Sequence, residues 1–532
     1  MIGYGLQAAL VLLAGPAQSD VSSAVCWMRW EAELRSARSY TVPCADVRVR
    51  VVFSGPGATR FHSYAFWDGG NIFRIRAAFP KPGVWTWTTD CSDTTNAGLH
   101  MRSGRVRVAP YKGKNQVYRH GFPRVSDNHR YLCFADSTPF LWIGDTAWAG
   151  PAHSSSVDWA EYLRDRVAKR FTVIQVGTAQ DWAGDRDAQG NLPFFDNDLR
   201  KPNPAFWRSY ESRIQAANDA GLIVLVVGLM EPHTRYPSMD DACTFARYLV
   251  GRLHGNAVMF SPSFDSPYTA LGDRVGEVVR DATQVHLITQ HPGTPSGQAT
   301  QIFAEHYFDQ PYLSYAGVQS GHNGGNRELC ARQAMRWNLH LYRRQPTKPV
   351  VNLEAMYDTE GRDHPGAFTG DDARSLGWRS FLSGAAGYTY GTDLYRWRTD
   401  ASKPEYWRRA MALPSSRQMT ALHDFFARVP WWKLVPAPER VHNQPMDWTL
   451  QSCFAVADDG AFAVAYIPAQ RDVDLDCSAM HGPLRAAWFD PRSGRFVGTG
   501  LTLPQGTVQH FHPPSVGDWV LLIEVASPSS LR

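Results

Sequence analysis

The chain has 532 residues, too many for one ordinary hydrophobic core, so two or three domains are expected. Its 44% hydrophobic and 20% charged residues exclude bulk disorder, and a formal charge of +4 without a Lys/Arg stripe gives no footing for nucleic acid. The 19 Trp and 21 Tyr suit β-sandwich cores and also the stacking of sugar rings, which modestly favours a carbohydrate partner.

Residues 1–22 carry LQAALVLLAG followed by PAQSD. This is the pattern of an export signal with a cleavage zone near Ala17 or Ser19, although no Lys or Arg precedes it. The run is too short to span a bilayer, and no later stretch is a membrane candidate, so a secreted or periplasmic protein is expected. Eight cysteines are too few for a disulfide framework at this length, and no C-x-x-C pair suggests zinc. Cys453 and Cys477 lie close enough to bridge in an exported protein, and Cys26 and Cys44 could form another pair. Cys133, Cys243 and Cys330 sit in segments that read as core.

Residues 25–112 read as an N-terminal β-sandwich, because VRVRVVF, FRIRAAF and VWTWTT alternate in polarity between Gly, Pro and Asn turns. From 113 to 430, apolar runs alternate with amphipathic helical segments, the texture of βαβ units around a parallel sheet. Eight strand candidates occupy 140–147, 172–178, 222–229, 257–264, 286–291, 316–322, 349–355 and 387–393. Their number and span predict an α/β fold, a (β/α)8 TIM barrel. The FAEHYFDQPYLSYAG stretch between the fifth and sixth strands reads as a loop rather than a full helix. After the Pro-rich PWWKLVPAPERV, alternation returns in FAVADDGAFAVAYIP and WVLLIEV, so 431–532 reads as a second, smaller β-sandwich.

The C-terminal ends of barrel strands face the active site, and here polar residues gather at those ends. The first strand ends in Asp145 with Trp148 beyond; the second carries Gln175 and leads to Asp181 and Trp182. The third reaches Glu231, the fourth Asp265 and the fifth His291. The sixth offers Gln319 and His322, the seventh Glu354 with Tyr357 beyond, and the eighth Tyr390. Glycoside cleavage needs two carboxyl groups flanking the bond, and Asp265 and Glu354 stand on strands that face each other across a barrel. Glu231, Asp145 and Asp181 are rival carboxylates. Asp145 suits the holding of substrate hydroxyls, but Asp145 or Asp265 could instead cap a helix or turn. His291 and His322 have no further ligand at metal spacing, so neither metal nor cofactor is expected.

The ordered motifs FLWIGDTAW, FTVIQ, LITQHP, VQSGH, KPVVNLEAMYD and GAAGYTYG resemble the apiosidase-like glycoside hydrolases of family 140 along the whole barrel. The WWKLVP passage and C-terminal sandwich are similar to that family's collagen-binding-like accessory domain. FWDGGNIFRIRAAFPKPGVWTWTTDC is similar to the sandwich ahead of some bacterial glycoside hydrolase barrels. The resemblance implies a retaining hydrolase of a plant or microbial polysaccharide or oligosaccharide, with Asp265 as acid/base and Glu354 as nucleophile. Gln175, His291, Gln319, His322 and Tyr390 would then bind hydroxyls, and Trp148 or Trp182 would stack on a ring. One motif departs: family members usually place two glycines before the strand-four Asp, whereas this chain has Ser263-Phe264-Asp265. Phe264 there is expected to desolvate the carboxyl, which suits a general acid, and to narrow the subsite. The departure also keeps open a non-catalytic carbohydrate-binding or surface-adhesion protein on a glycosidase barrel.

Overall fold

The computed structural model describes residues 21–178, 186–230, 238–265, 269–293, 299–321, 325–359, 368–397, 406–503 and 508–526. Most of the expected export signal lies outside them. Among the described residues no helix is long and apolar enough to cross a membrane.

Two sheets build the N-terminal region. One has five strands, in the order Ser22–Val25, Ser103–Ala109, Gly83–Cys91, Val49–Ser54, Arg60–Tyr64. The other joins Trp30–Arg35, Ile72–Ala77 and Phe66–Trp67. Alternation puts Val51, Phe53 and Trp85 of the first sheet and Trp30, Leu34 and Ile75 of the second into one core.

The central region is a curled, wholly parallel sheet of seven strands. Its order is Val258–Ser261, Ile223–Val227, Val173–Gly177, Trp142–Thr146, Gly387–Tyr390, Val350–Glu354, Ala316–Gln319. The expected fifth strand, 286–291, forms no regular ladder. It is held between its neighbours by parallel bridges Phe260↔Ile288 and Phe264↔His291 and by Ser314 N–H donating to the Ile288 carbonyl at 2.8 Å. The helix Ala299–Phe308 runs into the stretch after it and ends within it. Both faces of the sheet are apolar, as buried parallel strands require. Val173, Leu225, Met259, Val351 and Leu353 fill the inside, while Ile143, Ile174, Val224, Phe260 and Tyr388 lie under the helices. The helices begin where the sequence supplies caps: Ser155 and Asn203 side chains accept the backbone N–H of Asp158 and Ala205.

The C-terminal region has a six-stranded sheet and a two-stranded one, Val473–Asp476 with Val508–Phe511. Cys453, Ala455, Val464 and Tyr466 of the larger sheet pack with Trp378, Phe381 and Phe425 of the barrel helices. Phe454, Ala463, Ala465 and Leu475 form a core of their own. This division removes the disulfide expected between Cys453 and Cys477, which lie in different cores; Cys26 and Cys44 are likewise separate, and none of the eight cysteines is in a disulfide.

Candidate active site

Four strand ends converge at the C-terminal rim of the curled sheet. Glu354 closes the seventh strand. A register shift between Val318 and Gln319 sets Gln319 directly beside it. Glu354 is 4% exposed. Its Oε2 accepts from Gln319 Nε2 at 2.6 Å, and its Oε1 accepts from the Tyr357 hydroxyl at 2.5 Å. Trp148 donates its indole N–H to the Tyr357 oxygen at 3.1 Å, so a chain of donors runs from the first strand to the carboxylate.

Asp265 lies just past the fourth strand with φ of 53°, a left-handed conformation unusual for a residue with a side chain. Small residues support it. A Cβ on Gly293 would come within 2.9 Å of the Asp265 carbonyl oxygen, so only glycine allows this approach. The Ser263 N–H donates to Gln290 Oε1 at 2.9 Å, its hydroxyl donates to the His291 carbonyl at 3.1 Å, and the His291 N–H donates to Ser261 Oγ at 2.8 Å. These side-chain bonds supplement the short backbone pairing of 286–291, in which Phe260 N–H donates to the Leu287 carbonyl and Thr289 N–H to the Phe260 carbonyl. Sequence reasoning missed Ser261, Ser263, Gln290 and Gly293; the available signal was the small, hydroxyl-rich SPS run interrupting an apolar strand.

His291 stands between the two carboxylates. Its Nδ1 is 3.1 Å from Asp265 Oδ1, and its Nε2 is 3.3 Å from Glu354 Oε2, the longer of the two an ion-pair contact. The ring is 0% exposed, stacked on Phe264 (5.5 Å, 16°) and met edge-on by Trp148 (5.3 Å, 83°). Burial by itself would hold the imidazole down, but its hydrogen bonds and charge contacts with Asp265 and Glu354 outweigh this and push it up to about 9. Asp265, His291 and Glu354 are also the group of metal-ligating side chains, among the described residues, with one atom each within 4.8 Å of one another.

The expected site residues divide accordingly. Glu354, Asp265, His291, Gln319, Tyr357 and Trp148 come together. Gln175 is buried one layer deeper, donating to the Leu353 carbonyl at 3.1 Å, and so braces the seventh strand. Trp148 is 2% exposed and packs beneath the carboxylates, without an open face for a sugar. Asp145 is a correction. Trp142, Gly144 and Thr146 take the inner positions of their strand, so period-two alternation turns Asp145 outward to the helix Ser156–Ala168. There it accepts from Tyr162 Oη at 2.6 Å and pairs with Arg166 Nε at 2.8 Å; burial pushes its carboxyl up, against the pull of Arg166. Tyr390 is corrected for the same reason: Thr389 faces inward to Trp142, and the Tyr390 hydroxyl bonds Ser415 at 2.6 Å in the outer layer. Asp265 keeps a side chain that is 38% exposed, because the Phe264 ring lies on His291 instead of covering the carboxyl as expected. Asp181, Trp182, Glu231 and His322 lie outside the described residues.

Among solved structures, a protein titled glycoside hydrolase is 20% identical, with a TM-score of 0.66 over 78% of this chain and 99% of its own. A glycoside hydrolase family 5 protein from Bacteroides vulgatus ATCC 8482 is 19% identical, with a TM-score of 0.67 over 78% of this chain and 96% of its own. A putative glycoside hydrolase from the same organism is 17% identical, with a TM-score of 0.71 over 95% of this chain and all of its own. At these identities the likeness shows a shared fold. No curated protein matches the sequence. Residues 23–92 match a domain of unknown function, and 435–524 match a putative collagen-binding domain of a collagenase. Residues 126–433, more than half of the chain, match the apiosidase-like catalytic domain, and the protein belongs to the apiosidase-like family.

Proposed function

We propose that this protein is a retaining glycoside hydrolase acting on a plant or microbial polysaccharide or oligosaccharide. The carrying observation is the pair of carboxylates on opposite strand ends, each with an oxygen inside one 4.8 Å cluster with His291. Retaining enzymes hold their two carboxyl groups roughly 5–5.5 Å apart, whereas inverting enzymes leave about 6.5–9.5 Å for a water. The short separation favours retention.

Glu354 is the nucleophile. The hydroxyl of Tyr357 and the amide of Gln319 hold its two oxygens, fixing the carboxylate without rotation. Asp265, more exposed and at the rim, is the acid/base. In the first step a Glu354 oxygen bonds to the anomeric carbon, the bond to the leaving oxygen breaks, and that oxygen takes the Asp265 proton. In the second, Asp265 takes a proton from water, whose oxygen replaces Glu354 on the anomeric carbon. The family membership supports this reading, and the apiosidase-like name makes apiosyl linkages the first to try.

The test is incubation with plant and bacterial polysaccharides and with aryl glycosides, scored by released reducing sugar or aryl alcohol. Wild type is expected to turn over and Glu354→Gln to be inert. Full turnover by Glu354→Gln would refute the assignment. Binding without release by the wild type would favour a carbohydrate-binding or adhesion protein.

A further inference from the structure

A second charged surface lies away from the catalytic rim, where the helix Pro414–Phe426 faces the turn between strands Leu484–Asp490 and Arg495–Leu503 of the C-terminal region. An open groove of about 800 Å³ runs between them, within the size range of small-ligand sites. None of the rim residues lines it. Its charged lining is four cations, Lys169, Arg417, Arg428 and Arg492, against one carboxylate, Asp424. Two of the cations are already committed. Lys169 pairs with Asp165 at 2.8 Å, and Arg492 pairs with Asp490 at 2.7 Å and donates to the Val516 carbonyl at 3.0 Å. Asp424 is shared by His423 at 2.9 Å and Arg170 at 4.0 Å. Arg417 and Arg428 are exposed and, among the described residues, meet no carboxylate.

The helix explains their placement. Arg417, Ala421, Asp424 and Arg428 recur at intervals of four, three and four residues, which sets them on one stripe facing the groove. From Arg417 to Arg428 such a stripe rises about 16 Å, so the two arginines stand at separate points along the groove. Arg428 also holds its guanidinium 5.8 Å from the centre of the Phe496 ring. That ring is 36% exposed and packs at 5.1 Å on Phe489 of the groove wall.

We propose that this groove is a binding site, separate from the catalytic rim, for a carboxylated sugar chain. The two kinds of contact on offer match the two parts of a sugar acid. An aromatic face takes the C–H face of the ring, and an unpaired guanidinium takes the carboxylate through its fork of donors. Spacing and charge choose among the other anions and glycans. A single small anion meets one arginine at a time, and a neutral glycan leaves both unpaired; a chain with repeated carboxylates serves both. Binding is read without turnover, so this site stands or falls apart from the retaining reading.

The test is isothermal titration calorimetry on the full chain carrying Glu354→Gln, so that the probe is not cut. The probes are tetragalacturonate and an alginate tetramer at about 20 mM salt, where exposed charges are weakly screened. Arg417→Ala/Arg428→Ala is expected to weaken binding by about tenfold or more, and raising the salt to about 200 mM to weaken it in the same sense. Asp424→Asn removes the one carboxylate of the groove and is expected to tighten binding by about twofold to threefold. This gain keeps the proposal falsifiable if the double arginine variant does not fold. Cellotetraose, uncharged, should show no difference between the parent and the arginine variant, and inorganic tripolyphosphate should bind more weakly than the sugar acids. In the chain with Glu354 intact, the same arginine substitutions should leave cleavage of an aryl glycoside unchanged. Binding of neither uronate, equal affinity of the parent and the arginine variant, or tripolyphosphate binding as tightly as the sugar acids would each overturn the proposal. A wild type that binds the uronates at the groove but cleaves no glycoside removes the catalytic reading alone.

Discussion

Acid should loosen this protein through two histidines far from the catalytic rim. His286 is 2% exposed; its Nε2 lies 2.9 Å from the Asn256 carbonyl and its Nδ1 2.7 Å from the Thr283 hydroxyl. A carbonyl can only accept, so Nε2 carries the proton and Nδ1 accepts from Thr283: the neutral ring is satisfied, and charging it would bury a cation and turn the Thr283 hydroxyl round. Burial holds this imidazole down at about 4, the Asn256 contact opposing that shift and Arg280 adding to it. His254, 5.3 Å away and stacked on Phe61 of the N-terminal sandwich, is held well below the usual range, chiefly by burial. In the unfolded chain both would titrate near the ordinary value of about 6.5. Below that pH the unfolded state binds protons that the folded state refuses, so stability is unaffected above about 6.5 and falls as pH drops towards about 4. For His286 the loss is about 1.4 kcal/mol per pH unit, reaching about 3 kcal/mol near pH 4. Urea unfolding followed by Trp fluorescence between about pH 7 and about pH 5 measures it. His286→Gln keeps a donor for Asn256 but cannot charge, and should flatten the pH slope by about 1.4 kcal/mol per unit. A variant slope equal to the wild type, or a His286 ring that titrates near the ordinary value, would refute the reasoning.

Other expectations follow from the site. Asp145→Asn takes the buried counter-charge from Arg166 Nε, leaving Asp165 3.2 Å from its Nη1, and should cost about 3 kcal/mol in unfolding experiments. Its KM should stay unchanged; a raised KM with unaltered stability would restore the substrate-binding reading of Asp145. Tyr357→Phe removes a hydrogen bond to the charged Glu354, worth about 1.5–3 kcal/mol, and should lower kcat/KM by roughly tenfold to a hundredfold in steady-state assays. Gly321→Ala places a Cβ 2.1 Å from the Ala355 carbonyl oxygen, so the chain carrying Glu354 must shift; turnover should collapse while circular dichroism stays native.

Much of this was legible from the chain alone, because it is written in local pattern. Apolar runs such as LIVLVV and PVVNL read directly as strands buried on both faces, and VWTWTT reads as a sandwich strand, since period and composition follow from the environment of each residue. Strand order then brings Asp265 and Glu354 to one rim without any knowledge of side-chain geometry. What the sequence left undetermined depends on the direction of side chains. Asp145 and Tyr390 sit at strand ends like the true rim residues, yet alternation turns them under the helices, and that parity is fixed only when the sheet curls. The fifth strand reads as ordinary, but Ser261, Ser263 and Gln290 extend its short ladder through bonds between residues up to 30 apart. The bridging position of His291 is of the same kind. Its two carboxylate partners come from two strand ends far apart in the sequence, so their proximity exists only in the folded chain.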